Sequence, residues 1–319
     1  MALIKFGQYV KLTVRDKSKA IVFESDSLRI DFDVRHLDGF SRCKIDIYNL
    51  APATIKAISN GKNYATISVA KHDEDVVELV KGFYISNAIE VPKVPHSITS
   101  LFTFSNLRLE YLEKQIDTIV AAPSLRRILD ELKRLSEFPG NIEYRSFPPN
   151  YEDHVPPRPL SHQNGSFQTC LRVLAKQHGF NVYTEDETLV IMYKPNARNV
   201  VDTSMYRHGG TVKLSTNDLR NNPEIGPATL KFDSNLNRFI KPTAILDTSN
   251  LLYADVDISQ DTLELAEDFI KEKIAGFTMY QALTVQHKGS NFANKWVTSC
   301  VAVSPTVGIN MPTERWANL

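Results

Sequence analysis

The residues that come nearest to a chemical motif lie at Asp255-x-Asp257-x-Ser259-x-Asp261. Oxygen ligands at alternate positions are how a calcium loop begins. Such a loop then needs glycine at its sharp turn and a bidentate glutamate at its end, and here Gln260 and Ala266 occupy those places. Polar residues capping the following helical stretch account for the run better. His72-Asp73-Glu74-Asp75 could attract a cation, but four adjacent residues on a turn rarely converge on one ion, and a solvated hairpin tip explains them as well. The eight histidines, at 36, 72, 96, 154, 162, 178, 208 and 287, form no H-x-x-x-H or H-E-x-x-H pattern. Each reads as a surface or half-buried residue. Asn60-Gly61-Lys62-Asn63 lacks the upstream glycine and the Ser/Thr of a phosphate loop. There is no G-x-S-x-G elbow and no dinucleotide fingerprint. Carboxylates are plentiful, and two at the right separation suffice for glycoside hydrolysis, but nothing singles out a pair. Trp296 and Trp316 read as core or interface anchors. The expectation is no catalytic residue, no cofactor-binding residue and no metal ligand.

The elements that carry these residues are mostly strands. In residues 28–36, Leu28, Ile30, Phe32 and Val34 alternate with Arg29, Asp31, Asp33 and Arg35, the period of a strand with one buried face. Asp38-Gly39 supplies a hairpin turn. The chain returns with Cys43, Ile45 and Ile47 alternating with Lys44, Asp46 and Tyr48, and the mixed outward charges are expected to pair across the hairpin. Pro52 opens a short helix that Asn60-Gly61 stops. Further strands are expected near 64–71, 77–90 and 97–111. Many strands with one short helix predict a barrel or a strongly curved sheet.

Composition changes after 112. Leu125, Ile128, Leu129, Leu132 and Leu135 recur at helical spacing behind a Ser124 cap. After Gly140 come a short strand, IEYRSF, and a loop with prolines at 148, 149, 156, 157 and 159. A second helix runs from a Ser166 cap to a Gly179 stop and leads into the strands NVYTED and TLVIMYK. This predicts an α/β unit over 123–194. The final third returns to strands, except for a helix in DISQDTLELAEDFIKEKIAG that Gly276 ends. It closes on MYQALTVQHKG and NKWVTSCVAVSP, a strand pair about a Gly-Ser-Asn turn. No short internal repeat is visible, and the first and last thirds are compatible with two diverged copies of one barrel.

Bulk properties bound the function. The 319 residues suit two or three domains, and 42% hydrophobic with 23% charged residues supports folded cores. Lys plus Arg and Asp plus Glu number 37 each. Zero net charge argues against a dedicated nucleic-acid binder. It fits a surface consumed by partners as well as it fits an ordinary neutral soluble protein. Cys43, Cys170 and Cys300 offer neither a disulfide framework nor zinc spacing, so reduced thiols made in a cytoplasm are expected. No apolar run has signal-peptide or transmembrane length, so the chain is expected to be soluble when made, with no membrane segment.

The order of elements resembles one family, the baseplate hub subunits of phage contractile tails. Residues 28–73 look like the N-terminal barrel of tail hub proteins, with an I-x-I-Y-N-L run, a short helix, a strand and then KGFYISNAIE. SFQTCLRVLAKQHGFNVYTEDETLVIMYK resembles the family's small α/β module. LTVQHKGSNFANKWVTSCVAV is similar to its closing H-x-G hairpin, with His287, Gly289 and Trp296 in the matching places. Where members often carry a longer glycine-containing run, this chain has LRNNPEIGPATLKF. The resemblance covers most of the chain. It implies a β-rich α+β fold: an N-terminal β-barrel domain (1–112), an α/β module (113–200) and a C-terminal β-barrel domain with an inserted helix (201–319), both barrels tail-tube-like. It implies a structural homotrimer, not an enzyme. Such a trimer sits in the baseplate of the virion tail and links the tail tube protein to the central spike protein. It touches other baseplate proteins and, transiently, genome DNA in the channel, and it adapts six-fold to three-fold symmetry. A distal tail protein, a type VI-like spike-base protein and a tail-tip cell-wall hydrolase are the alternatives.

Overall fold

The computed structural model describes residues 7–15, 20–24, 28–36, 41–59, 63–71, 75–93, 96–104, 109–117, 124–145, 153, 165–185, 188–193, 210–225, 229–251, 257–258 and 279–303. The Asp38-Gly39 and Asn60-Gly61 turns, most of the proline-rich loop, the helix expected after Ile258 and Trp316 lie outside them.

The first third forms β1 (Gln8–Arg15), β2 (Ala20–Glu24), β3 (Ile30–His36), β4 (Arg42–Tyr48), α1 (Pro52–Ser59), β5 (Tyr64–Lys71), β6 (Val77–Lys93) and β7 (His96–Phe104). β1 carries the same alternation as β3, with Val10, Leu12 and Val14 inward, and pairs with β2 and β5. The strand expected to reach 111 stops at Phe104, and Leu109–Leu112 is instead a single helical turn, α2. The Y-N-L signature has a local cause. Asn49 turns the chain with φ 59°, a conformation Asn tolerates. Its side-chain oxygen accepts from Ser97 N at 3.2 Å, which ties the end of β4 to β7.

The middle third contains β8 (Gln115–Ile116), α3 (Leu125–Ser136), β9 (Ile142–Arg145), β10 (Gly165–Ser166), α4 (Phe167–His178), β11 (Phe180–Glu185) and β12 (Thr188–Tyr193). Both helix starts are capped as their sequence requires. Ser124 accepts from Arg127 N and Ser166 from Thr169 N. Gly179 ends α4 in the left-handed region at φ 68°. β11, β12 and β9 make a separate three-stranded sheet, and Leu125, Ile128, Leu129 and Leu132 pack with Phe167, Leu171 and Ile191 in one core. The two-residue pairing of β8 with β10 is too short to leave a sequence period.

The last third forms β13 (Thr211–Ser215), β14 (Glu224–Ile225), β15 (Thr229–Asn235), β16 (Ile245–Asn250), β17 (Asp257–Ile258), β18 (Met279–Ser290) and β19 (Trp296–Val303). Its core gathers Leu214, Leu230, Phe232, Leu246, Tyr280 and Ala302.

The first and last thirds are not separate sheets. β18 pairs antiparallel with β19 on one side and with β3 on the other, from Val285↔His36 to Ser290↔Asp31. One ladder therefore runs β17-β14-β15-β19-β18-β3-β4-β7-β6-β5-β1-β2, with β16 also on β18 and β13 on β16. Among the described residues this ladder is open at β2 and β17. The chain is β-rich with few helices. Trp296, distant in sequence, belongs to the core of the first third.

Candidate functional site

The seam between β3 and β18 carries the His287, Gly289 and Trp296 signature. Gly289 lies directly opposite Phe32 on one side and Trp296 on the other. A Cβ there would stand 2.2 Å from Cζ of Phe32 and 3.0 Å from Trp296. Glycine is thus required by space, because it lets the Phe32 ring lie over the backbone and meet Trp296 edge-on at 5.9 Å between centroids. Asn291, 2% exposed, completes the seam. Its Oδ1 accepts from Ile30 N at 2.8 Å and its Nδ2 donates to Leu28 O at 2.8 Å, so one amide replaces a missing strand partner.

Two residues before Gly289, His287 is 1% exposed and meets His36 edge-to-face at 5.9 Å. His287 Nδ1 bonds Thr298 Oγ1 at 2.9 Å and His36 Nδ1 bonds Ser41 Oγ at 2.7 Å. Burial lowers both imidazoles, His36 to about 4 and His287 to about 3, with Lys241 pushing the same way on each. Both rings are neutral at pH 7. No spacing rule joins positions 36 and 287, so only the β3–β18 register brings these two of the eight histidines together.

Beside the histidines a cleft of about 260 Å³ opens where the middle module meets both parts of the large sheet. β11 supplies Tyr183 and Glu185, and the turn before β16 supplies Lys241 and Pro242. Glu185 accepts from Lys241 Nζ on one oxygen and from Arg145 Nη1, at 2.8 Å, on the other. Arg145 also holds Glu143 through Nε at 2.8 Å and Nη2 at 2.9 Å. Burial alone would raise Glu185, but the two cations hold it below the usual carboxylate range. Tyr183, its hydroxyl raised to about 12 by burial, donates to Pro242 O at 3.1 Å. Tyr183, Val190 and Met192 also pack on Leu283 of β18. The module is docked by this small apolar patch and by charges.

The outward face of the sheet is a third feature. The register sets Asp31 opposite Asp46 and Arg35 opposite Arg42, and only Asp33, opposite Lys44, faces an opposite charge across the hairpin. The charges pair along the strands instead: Arg29 with Asp31 at 2.9 Å, Arg35 with Asp33 at 2.8 Å and Lys44 with Asp46 at 2.8 Å. Neutral donors complete each carboxylate. Tyr48 and Ser290 donate to Asp31, Gln286 to Asp33 and Ser100 to Asp46. Burial would raise Asp33, but the bonds from Arg35 and Gln286 keep it low. The face reaches across the seam, because Gln286 and Ser290 come from β18 and Asp31 and Asp33 from β3.

The sequence singles out no catalytic, cofactor or metal residue; of the positions it does mark, His287, Gly289 and Trp296 meet at the seam. The calcium-like run lies outside the described residues except at Asp257, and the 72–75 run except at Asp75. Among the described residues no group of three or more His, Cys, Asp or Glu side chains is placed to hold a metal ion. Cys43, Cys170 and Cys300 are buried free thiols, each pushed up by burial. No helix among the described residues is long and apolar enough to cross a membrane.

The architecture is shared with solved structures at low identity. The tail protein from Neisseria meningitidis MC58 superposes with a TM-score of 0.55 at 10% identity, over 93% of this chain and 97% of that one. The 43 kDa tail protein of prophage MuSo2 from Shewanella oneidensis gives 0.53 at 8% identity, over 93% and 98%. An E. coli type VI secretion component, described as structurally similar to the T4 bacteriophage tail proteins gp27 and gp5, gives 0.51 at 11%, over 92% and 76%. No protein-family model and no curated protein matches the sequence. At such identities the likeness is one of fold: the chain has the β-rich fold of these tail and spike-related proteins.

Proposed function

We propose that the chain is the structural hub subunit of a phage-type tail, a homotrimer that joins the tail tube to the central spike in the baseplate. Each chain would offer two tube-like units, one from each sheet half, so that three chains match six-fold symmetry while keeping a three-fold axis for the spike. The observation that carries this reading is the β3–β18 seam, which makes the two halves one sheet with a continuous polar face. A wall for passing DNA must not bind it. On this face the carboxylates of Asp31, Asp33 and Asp46 are neutralised within the sheet by Arg29, Arg35 and Lys44. We assign this face to the channel. DNA contact is then transient, the protein is not an enzyme, and its place is the virion tail. The open ladder end at β2 is an edge that a neighbouring subunit would cover.

Light scattering at high concentration with negative-stain imaging tests the reading. A trimer that images as a ring with a central hole is expected. A chain that stays monomeric at every concentration and forms no ring refutes it. A second reading, a spike-base subunit of a type VI apparatus, has in its favour the likeness to the E. coli secretion component. Co-purification with a tube protein from a phage or from a secretion apparatus separates the two.

A further inference from the structure

The cleft beside the module holds more charge than its own ion pairs use. Glu143, Arg145, Glu185 and Lys241 cancel within one network. Lys81 of β6 and Arg238 also line the cleft, and neither makes an ion pair with a described residue. The Arg238 guanidinium lies over the Phe239 ring at 4.7 Å. Phe239 is 61% exposed, the most exposed of the large hydrophobic residues described. It is not held loosely. Phe239 N donates to Asn237 Oδ1 at 2.9 Å, and Asn237 N donates to Thr298 Oγ1 at 2.9 Å, which anchors the turn to β19. In the cleft wall Thr184, 2% exposed, has a hydroxyl with no hydrogen-bond partner. Phe239 lines the adjoining cleft, which shares Arg238 with this one. A guanidinium outside any ion pair and an unsatisfied buried hydroxyl, both in this lining, are parts of a recognition site.

We propose that this cleft seats a carboxylate-bearing segment of a protein that docks on the module side of the sheet. The guanidinium fork of Arg238 matches a carboxylate, and Lys81 adds a second charge. The volume, about 260 Å³, falls below the ~300 Å³ at which pockets begin to take drug-sized ligands. It accepts an acidic side chain and excludes a nucleotide. Glu78 and Glu185 in the same lining disfavour a polyanion. The site lies apart from the face assigned to the channel, and ring formation by the same preparation reports on that assignment separately.

The test is a titration of the full chain with an N-acetylated, C-amidated Gly-Glu-Gly-Gly peptide, which carries one carboxylate, followed by fluorescence anisotropy of a dye on the peptide. Saturable binding is expected. It should weaken at least tenfold in the Lys81→Ala/Arg238→Ala double variant and tenfold or more between 50 and 300 mM salt, roughly as a two-charge contact implies. Glu78→Lys should tighten it several-fold. The proposal is overturned by an absence of saturation, by equal binding to the double variant, by equal binding of a capped tetralysine peptide, or by an oligonucleotide that competes better than the peptide. Hydrogen exchange of β11 and β18 establishes that the double variant is folded. If it is not, an unchanged affinity in Glu78→Lys overturns the proposal instead.

Discussion

Gly289→Ala should open the seam that makes one sheet of two. The glycine has no positive φ to lose, so the effect is one of space. An alanine Cβ would sit 2.2 Å from Cζ and 2.4 Å from Cε1 of Phe32, and ordinary carbon–carbon contact needs roughly 3.5 Å or more. The ring must move by about 1.3 Å or the strands must part. Phe32 is only 3% exposed and Trp296 equally so, so there is no free space for the move. Overpacking of this kind costs about 1–3 kcal/mol. Breaking the Phe32–Trp296 edge contact adds about 0.5–1.5 kcal/mol. A loss of about 2–4 kcal/mol localised to the seam follows. A chain with several cores need not unfold in one step, so the assay is hydrogen exchange of the β3 and β18 amides rather than a single melting curve. Those amides should exchange roughly 30- to 1,000-fold faster, while α3 and α4 stay protected. The decisive arm is rescue. Phe32→Leu alone destabilises, yet in the Gly289→Ala background it should restore at least about 1 kcal/mol as a coupling energy. If Gly289→Ala leaves seam exchange unchanged, or if Phe32→Leu adds its full cost without rescue, the spatial account of the glycine is wrong.

Acid should weaken the same seam. His287 has its pKa lowered when folded, so the unfolded chain binds the extra proton first. Stability from its burial is complete above the unfolded value near 6.5 and falls, by up to about 1.4 kcal/mol per pH unit, as pH drops toward the folded value of about 3. His36 adds to the loss down to about 4. Urea midpoints at pH 7 and 5 should differ in the native chain and differ less in His287→Gln. Glu185→Gln leaves Lys241 and Arg145 facing one neutral amide. Because Lys241 is 39% exposed, the cost should stay below the ~3–5 kcal/mol of a fully buried pair, with faster exchange in β11 and β12 and none in β3. Asn291→Ala strands both Ile30 N and Leu28 O, so a loss of about 2–4 kcal/mol is expected, read as faster exchange at Ile30. A change below half of that would mean solvent reaches those groups.

Local chemistry is legible in the order of residues. The β3–β4 alternation, the Ser124 and Ser166 caps, the Gly179 stop and the leucine stripe of α3 each act within a few residues, so each leaves a readable period or boundary. The three-stranded sheet with two helices follows from them. Elements without a period escape such a reading: β8 with β10, and the helical turn α2 in place of the end of a strand. β1 does alternate, with Val10, Leu12 and Val14 inward, but at an N-terminus the absence of a signal-like apolar core says nothing about a strand.

The sequence alone determined that the chain is β-rich, that its middle is an α/β unit, and that no familiar catalytic motif stands in it. The tertiary structure decided everything that depends on which distant strands pair. Register is a global choice, because a strand's hydrophobic face fits any partner with the same period. Pairing β3 with β18, some 250 residues away, is what sets His36 on His287 and Phe32 over Gly289. The β3–β4 register put Asp31 against Asp46, and the charges pair along each strand. The catalytic and metal motifs looked for were runs of neighbouring residues, whereas the cleft and the polar face are assembled from β3, β4, β6, β7, β11, β18 and the turn at Arg238, and no local pattern reaches that far.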